Sequence, residues 1–235
     1  MYEGVHAYPD GEATAARHAR EAADLGYDGV VVRNHGDVPA EYDTAAVSDA
    51  FGVDVVEAVE VRTGDRSQAA GLVRRFREEV TLVCVHGGDP SVNRYAVEDP
   101  RVDVLAHPMR GEGDVNHVIV RAAAENGVRL EFSLAEVLRA DGGPRVRAVS
   151  GLRKLRELVE AYDAPFVVSG DPSSYLDWRA PREVVAVGEL VGFDAGQVRE
   201  GLREWGRLSA RNRERASDSF MEPGVRRGRY EEEPR

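Results

Sequence analysis

The 235-residue chain carries 42 acidic and 31 basic side chains, for a net charge of −11, and 42% of its residues are hydrophobic. This composition supplies the apolar side chains of a full core and excludes global disorder. No apolar run approaches the roughly 20 residues that span a bilayer, and Met1–Gly4 lacks the basic and apolar regions of a secretory signal. We therefore expect a cytoplasmic protein without a membrane partner.

The basic residues are almost all of one type. Lys154 is the only lysine, and the other 30 basic residues are arginine. Additional acidic side chains help to keep a protein soluble in a salt-rich cytoplasm. We therefore interpret the chain as a salt-adapted protein of a halophilic archaeon, in which net acidity does not exclude nucleic acid as a partner. The single cysteine, Cys84, lies in an apolar run and is expected to be a buried thiol.

Short apolar runs rich in β-branched residues alternate with helical patterns along the chain. The runs predict strands at 4–7, 29–33, 53–61, 82–85, 102–106, 128–132 and 166–169. The patterns between and after them predict helices near 12–25, 43–51, 67–79, 114–126, 147–162, 181–192 and 195–215. Such alternation is typical of an α/β fold with a parallel sheet covered on both faces.

This order favours a TIM-barrel-like (β/α) barrel of about seven parallel strands. A doubly wound open sheet is the rival, and spacing alone does not remove it. The first βα turn, Tyr8–Gly11, has no glycine-rich dinucleotide fingerprint, and the chain has no P-loop. We find no clear pattern for a further barrel strand after residue 192, so we expect incomplete or irregular closure. We assign 1–215 to a single barrel domain and 216–235 to a basic tail whose last residues, 231–235, are predicted to be disordered.

Several polar side chains fall where the predicted strands end, and in a barrel these ends converge on one face. A metal site for phosphoester hydrolysis could be built there from His6, Glu57, His86, His107 and Asp171. Metal-dependent phosphoesterase barrels of the polymerase-and-histidinol-phosphatase type begin with a His-x-His pair, whereas this chain has His6-Ala7-Tyr8. We therefore expect no metal site. Glu57 and Glu60 are interpreted as solvated, and the histidines as ordinary turn or packing residues.

Arginines dominate the C-terminal segment. Residues 199–229 carry nine arginines against five acids, a local net charge of +4 on an acidic body. Five of them recur every four residues and share one stripe of the predicted helix: Arg199, Arg203, Arg207, Arg211 and Arg215. Clustered guanidinium groups suit phosphate recognition. The pattern favours contact with nucleic acid, and the alternative is a solvated helix paired with Glu200 and Glu204.

A long polar segment, Ser169–Glu183, separates the last predicted strand from the next helix. It carries Tyr175, Trp178, Arg179 and Arg182, with Pro181 at the predicted first turn of the helix. Loops in this position of a repeated strand–helix fold often carry function. This segment lacks the Gly-x-Ser-x-Gly elbow of a hydrolase, so we interpret it as a docking surface.

Several blocks of the sequence resemble the archaeal ribonuclease P protein component 3 family. The blocks are Ser169–Glu183 with its Trp178–Arg182 core, Leu130–Leu134, Val102–Pro108, and Asn212–Arg215 leading to Glu222–Gly228. The resemblance covers nearly the whole chain. It implies a barrel of about seven strands, distantly similar to the phosphoesterase barrels above.

The resemblance also implies a function. Members are noncatalytic subunits of ribonuclease P, the ribonucleoprotein that removes the 5′ leader from precursor tRNA. The RNA subunit carries the catalysis with Mg²⁺, so we expect no catalytic residue and no cofactor in the protein itself, and inactivity of the isolated subunit. The expected partners are the ribonuclease P RNA, protein component 2, other protein subunits and, through the complex, precursor tRNA.

Charge and placement select the candidate RNA contacts: Arg33, His35, Arg179, Arg182, Arg207, Arg211, Arg213, Arg215, Arg226, Arg227 and Arg229. The surface for component 2 is left open between an apolar helix face and the loop with Tyr175 and Trp178. The alternative function is a stand-alone metal-dependent phosphoesterase using the five-residue metal set named above.

Overall fold

All seven predicted strands form in the computed structural model, which describes residues 1–111, 113–217, 220–222 and 225–226. Each strand pairs in parallel with its neighbour in chain order. The strands are β1 Tyr2–Val5, β2 Gly29–Val32, β3 Asp54–Val61, β4 Leu82–His86, β5 Val104–Ala106, β6 Arg129–Ser133 and β7 Phe166–Ser169. The sheet is therefore that of the predicted (β/α) barrel.

Helices connect the strands. They are α1 Ala15–Leu25, α2 Thr44–Phe51, α3 Arg66–Phe76, α4 Pro90–Glu98, α5 His117–Asn126, α6 Ala135–Arg139, α7 Gly142–Tyr162, α8 Pro181–Val191 and α9 Ala195–Ala216. Most begin at a side chain that accepts a backbone N–H of the first turn, as the sequence signals for a helix start require. These caps are Thr14, Asp43, Asp65, Asp89, Asn116 and Asp194.

The barrel is not closed by strand pairing, because β1 and β7 are not paired within the described residues. Helix α9 packs against both strands at this gap. Glycine makes the close approach possible, since a Cβ at Gly201 would lie 2.5 Å from Val168 and one at Gly206 2.5 Å from the Tyr2 ring. The predicted irregular closure is confirmed.

Two side chains bond to the backbone edges that the gap exposes. Trp205, on α9, donates its indole N–H to the carbonyl of Val168 at 3.0 Å. Nearer the carboxyl ends of the strands, the Glu3 carboxylate accepts the N–H groups of Gly170 at 3.0 Å and Asp171 at 3.3 Å. Burial raises the pKa of Glu3 to about 8. Side chains therefore satisfy backbone groups that a paired strand would otherwise satisfy.

The barrel interior has two layers. The layer near the amino ends of the strands is apolar and fully buried, and it consists of Val31, Val56, Leu82, Cys84, Val104, Val167, Trp205 and Leu208. The layer near the carboxyl ends is charged, with Arg33, Glu60, Glu131 and Asp171. Alternation along each strand produces this arrangement, because residues two apart point to the same face. The predicted burial of Cys84 is confirmed.

The C-terminal segment is described only in part. Helix α9 ends at Ala216, and two short strands, β8 Phe220–Glu222 and β9 Val225–Arg226, pair antiparallel. The division at residue 215 stays a prediction. Arg227, Arg229 and the predicted disorder of 231–235 lie outside the described residues. Among the described helices, none combines the length and the apolar content that crossing a bilayer requires.

Candidate functional site

Arg33 lies at the centre of the charged layer with no exposed surface. Its Nη2 lies 2.7 Å from Glu131 Oε1 and 2.8 Å from Asp171 Oδ1, and its Nη1 lies 3.1 Å from Glu60 Oε2. Although burial alone would lower it, the three carboxylates hold the pKa of the guanidinium well above its usual value. A fully enclosed side chain has no surface to offer to RNA. Arg33 is therefore not retained as a candidate RNA contact.

Four histidines form an arc over this charged layer. They are His6, His35, His86 and His107, and their neighbouring ring centroids lie 4.9, 5.4 and 5.0 Å apart along the arc. Each comes from the carboxyl end of a different strand, β1, β2, β4 or β5. Their side chains are only 10–18% exposed. We call these four residues the histidine rim.

Asp10 orients two members of the histidine rim. Its Oδ2 lies 2.7 Å from His6 Nδ1 and 2.8 Å from His35 Nδ1, and it also accepts the backbone N–H of His35 at 2.9 Å. Despite the opposing effect of burial, these hydrogen bonds hold the pKa of Asp10 well below its usual value. An anionic Asp10 accepts a hydrogen bond from each Nδ1–H, so the Nε2 atoms of both rings face the charged layer.

Glu60 is the carboxylate that the histidine rim surrounds. Its Oε1 contacts His86 Nδ1 and lies 3.5 Å from His107 Nε2 and 3.7 Å from His35 Nε2. Burial alone would raise the pKa of Glu60, but Arg33 and His107 lower it well below its usual value. For His6, burial alone would lower the pKa, but the Asp10 carboxylate bonded to Nδ1 and the Glu60 carboxylate 3.6 Å from Nε2 raise it to about 9.

The backbone also contributes to the geometry. His107 and Asp171, which follow β5 and β7, adopt positive φ angles of 48° and 52°. Only His, Asp and Asn visit this left-handed region with any frequency among residues that carry a Cβ. The chain turns sharply there, and both side chains remain within 3.8 Å of each other. Backbone strain of this kind is concentrated at functional sites.

The predicted metal set is corrected at one position. Glu57 is exposed, and its carboxylate accepts a hydrogen bond from Thr44 on the outside of the barrel. Glu60 instead reaches the interior, because residues three apart on a strand point to opposite faces. The interpretation of Glu60 as solvated was therefore wrong. In the described chain, the possible donor groups are His6–Asp10–His35, His6–His107–Asp171 and His35–Glu60–His86.

The Ser169–Glu183 loop is anchored to the barrel more tightly than predicted. Trp178 is only 6% exposed and donates its indole N–H to His18 Nδ1 at 2.9 Å. Burial lowers the pKa of His18 to about 4, which keeps the ring neutral and able to accept. Trp178 is therefore a core residue and not part of a docking surface. Tyr175 remains 44% exposed beneath the guanidinium of Arg17.

The two arginines of this loop differ. Arg179 is half-buried and donates to the carbonyl oxygens of Leu176 and Trp178. Arg182 is exposed, and no ion pair to another described residue fixes it. His35, the remaining candidate RNA contact at the carboxyl ends of the strands, is hydrogen-bonded to Asp10 within the histidine rim. Arg182 is thus the candidate from this end that stays available to a phosphate.

The C-terminal helix carries its arginines across the opposite end of the barrel, where the strands begin. Arg207 pairs with Glu200 and Glu204 on its own helix. Arg211 and Arg213 pair with Asp103 and Asp54, which lie just before β5 and at the start of β3.

Arg215 is exposed and has no ion pair to a described residue. Three members of the predicted stripe, Arg203, Arg207 and Arg211, are therefore paired with the protein's own acids. The side chain of Arg226 lies outside the described part of the chain.

Sequence reasoning missed Asp10, Glu60 and Glu131 as members of the charged site. Asp10 carried a usable signal, because it follows His6 by four residues in the first βα loop. Glu60 and Glu131 were missed because the residue that meets them at the barrel centre, Arg33, had been assigned to RNA contact. Their burial depends on a pairing between residues far apart in sequence.

The architecture defines a class: an incompletely closed, seven-stranded (β/α) barrel, the fold of phosphoesterase barrels. A putative histidinol phosphatase from Listeria monocytogenes superposes with a TM-score of 0.52 at 11% identity, over 75% of this chain and 97% of that chain. A chain of an archaeal ribonuclease P solved with mature tRNA superposes with a TM-score of 0.84 at 21% identity, over 99% of this chain and 100% of that chain.

Residues 3–217 match the family model described as RNase P subunit p30, and the chain belongs to this family. A relative from Haloarcula marismortui, Ribonuclease P protein component 3, is 62% identical over 226 residues, which are 96% of each chain. The family predicted from the sequence blocks is confirmed. The expectation of a salt-adapted source agrees with the halophilic origin of this relative.

Proposed function

We propose that the chain acts as protein component 3 of ribonuclease P, the ribonucleoprotein that removes the 5′ leader from precursor tRNA. The observation that carries this proposal is the 62% identity, across 96% of the chain, to a protein of that name. The chain then works in the cytoplasm with the ribonuclease P RNA, component 2 and other protein subunits. Precursor tRNA reaches it through the complex.

We further propose that the protein does not cut the substrate and that the RNA subunit supplies the catalysis with Mg²⁺. Arg33 supports this part of the proposal. Its guanidinium contacts Glu60, Glu131 and Asp171 at the centre of the layer where a hydrolytic barrel would place its reacting groups. The guanidinium occupies the space between these carboxylates and neutralises one of their three charges from within the protein. The isolated chain is then inactive, and the stand-alone phosphoesterase is the alternative.

Reconstitution tests the proposal. Ribonuclease P RNA is assayed for 5′ cleavage of precursor tRNA over a range of Mg²⁺ concentrations, with component 2 alone and with component 2 plus this chain. We expect the chain to raise the cleavage rate or to lower the Mg²⁺ requirement. An unchanged rate and requirement would contradict a subunit role. Cleavage by the chain alone, with Mg²⁺ or Mn²⁺, would support the phosphoesterase.

The revised RNA contacts are tested by charge reversal. Arg182→Glu and Arg215→Glu should each weaken binding to the ribonuclease P RNA and reduce the slope of log K against log salt by about one per lost phosphate contact. Arg74→Glu is the matched control, because Arg74 is exposed on α3 and has no ion pair among the described residues. Equal effects of all three variants would indicate a general change in net charge and not a contact.

A further inference from the structure

We infer that the histidine rim holds one divalent transition-metal ion of the zinc class on His35, Glu60 and His86. This inference goes beyond the proposed function and does not depend on it, because a bound ion here need not take part in cleavage. It rests on the donor geometry, on a buried atom without a partner and on the charge of the layer below.

The donor geometry is the first argument. One atom from each of His35, Glu60 and His86 lies within 4.8 Å of the others. The 3.7 Å between His35 Nε2 and Glu60 Oε1 is too long for a hydrogen bond. Zinc bound at about 2.0–2.2 Å to nitrogen and oxygen in a tetrahedron separates its ligands by roughly 3.3–3.5 Å. Side-chain shifts that shorten this distance and open the existing contact between Glu60 Oε1 and His86 Nδ1 would bring the three atoms onto one ion.

The second argument is an unsatisfied atom. His35 Nε2 is buried and has no hydrogen-bond partner among the described residues. The other nitrogen of the same ring, Nδ1, is hydrogen-bonded to Asp10 Oδ2 at 2.8 Å. A carboxylate on the outer nitrogen of an imidazole is the usual support of a metal-bound histidine, since it fixes the tautomer and raises the basicity of the inner nitrogen. The Nε2 lone pair of His35 therefore faces Glu60, and no donor among the described residues satisfies it.

Charge is the third argument. The guanidinium of Arg33 compensates one of the three carboxylates that it contacts, namely those of Glu60, Glu131 and Asp171. Arg33 uses Oε2 of Glu60 and leaves Oε1 to the histidine rim. Two imidazoles and one carboxylate favour zinc, cobalt or nickel over the oxygen-preferring Mg²⁺. A cavity of about 580 Å³ opens beside this layer and is lined by His107 of the histidine rim, Glu131 and Asp171.

The test measures metal content and coordination, not activity. The full chain, free of any histidine tag, is stripped with a chelator, dialysed against Zn²⁺ or Co²⁺ in KCl and then against metal-free buffer. We expect about one ion per chain by elemental analysis. The Co²⁺ form should show the intense visible absorption of a tetrahedral site with nitrogen ligands. A metal content well below one per chain, with no such absorption, would overturn the inference.

Variants locate the ion. His86→Gln should weaken Zn²⁺ binding by at least about 100-fold, because it removes one of three ligands. His86 is chosen because it lies at the partly exposed rim and Arg33 does not contact it. His117→Gln is the matched control, since His117 is exposed at the start of α5. Circular dichroism confirms that both variants fold. Equal binding by His86→Gln and the control would place the ion elsewhere and overturn the assignment.

Asp10 is a positioning residue in this assignment. Asp10→Asn should retain the stoichiometry of one ion but lower the affinity by about 10–100-fold, as the loss of such a supporting carboxylate does elsewhere. The Co²⁺ spectrum should shift because the ring of His35 is no longer fixed. An unchanged affinity and spectrum would contradict the orienting role of Asp10.

Discussion

Arg33 combines a full positive charge with complete burial, which water would ordinarily prevent. Three carboxylates replace the lost hydration, and the ring of Trp205 lies 5.5 Å from the guanidinium carbon. Gly4 supplies the space, because a Cβ there would lie 2.9 Å from Arg33 Nε. The group therefore depends on several strands at once, and its removal should affect the whole barrel.

Arg33→Met should lower the free energy of unfolding by about 3–5 kcal/mol, because it leaves buried carboxylates without their cation. Thermal or denaturant unfolding at fixed KCl measures the change. Arg207→Gln is the control, since its ion pairs are exposed and worth about 0–1 kcal/mol. A loss below about 1 kcal/mol for Arg33→Met would show that the carboxylates become neutral without the guanidinium at little cost.

Trp178→Phe tests the anchor of the long loop. The substitution removes the N–H that His18 Nδ1 accepts and leaves a buried acceptor unsatisfied. The expected cost is about 1–3 kcal/mol of unfolding free energy. Tyr175→Phe, in the exposed part of the same loop, should change stability by no more than about 0.5 kcal/mol. Similar values for both variants would mean that the loop is not fixed through the indole N–H.

At the scale of elements, helix α9 takes the place of an eighth strand. Its contact surface includes two glycines that let the helix axis approach β7 and β1. Glycine normally weakens a helix interior relative to alanine. Its presence at Gly201 and Gly206 therefore reflects packing against the gap and not local helix propensity.

Substitution of glycine by alanine should change the free energy of unfolding in opposite directions at two helical positions. Gly201→Ala should lower the free energy of unfolding by about 1–3 kcal/mol, because the added methyl meets Val168. Gly71→Ala, on α3, meets nothing within 4 Å and should raise it by about 0.5–1 kcal/mol through helix propensity. Denaturant unfolding of the two variants provides the comparison. A higher free energy of unfolding for both variants would show that α9 can shift away from the sheet without a loss of stability.

The elements were predictable from sequence where local patterns determine them. All seven strands and the long C-terminal helix follow from β-branched runs and helical periodicity. Two helices were missed: α4, which begins at Pro90 after the cap Asp89, and the short α6. Both segments are short, nine and five residues, so strand and turn signals on either side dominated the interpretation.

The site was less predictable than the fold. The prediction that the strand ends converge on one face correctly placed His6, His86, His107 and Asp171 together. The pairing of Arg33 with three carboxylates, and of Arg211 with Asp103, joins residues far apart in sequence. Charge counted along a single helix does not reveal such partners. The arginine stripe of α9 therefore suggested a free phosphate-binding face, although Arg211 pairs with the distant Asp103 and Arg207 with Glu200 and Glu204 of its own helix.

At the scale of the whole molecule, the net charge of −11 should make the stability of the fold depend on salt. Repulsion between exposed acids weakens as the Debye length falls from about 10 Å at 0.1 M to about 3 Å at 1 M salt. We expect the midpoint of thermal unfolding to rise with KCl by at least about 2–4 °C over this range, the shift that roughly 1 kcal/mol produces in a chain of this size. Calorimetry measures it.

The Arg33 variant provides an internal control for the salt experiment. Because its carboxylate partners are buried, their interaction is screened little by dissolved ions. The difference in stability between the native chain and Arg33→Met should therefore change little with KCl, while both midpoints rise. A native midpoint that falls with added KCl would contradict surface repulsion as the dominant effect of the acidic composition.

The position of Trp205 has an optical consequence. The chain has two tryptophans, and Trp178→Phe leaves Trp205 as the sole indole fluorophore. That indole is fully enclosed, bonded to the Val168 carbonyl and in contact with the guanidinium that joins the charged layer. Its emission should be blue-shifted in the native state. Quenching of that emission by Co²⁺ would report, from within the barrel and without an added dye, the arrival of an ion at the histidine rim.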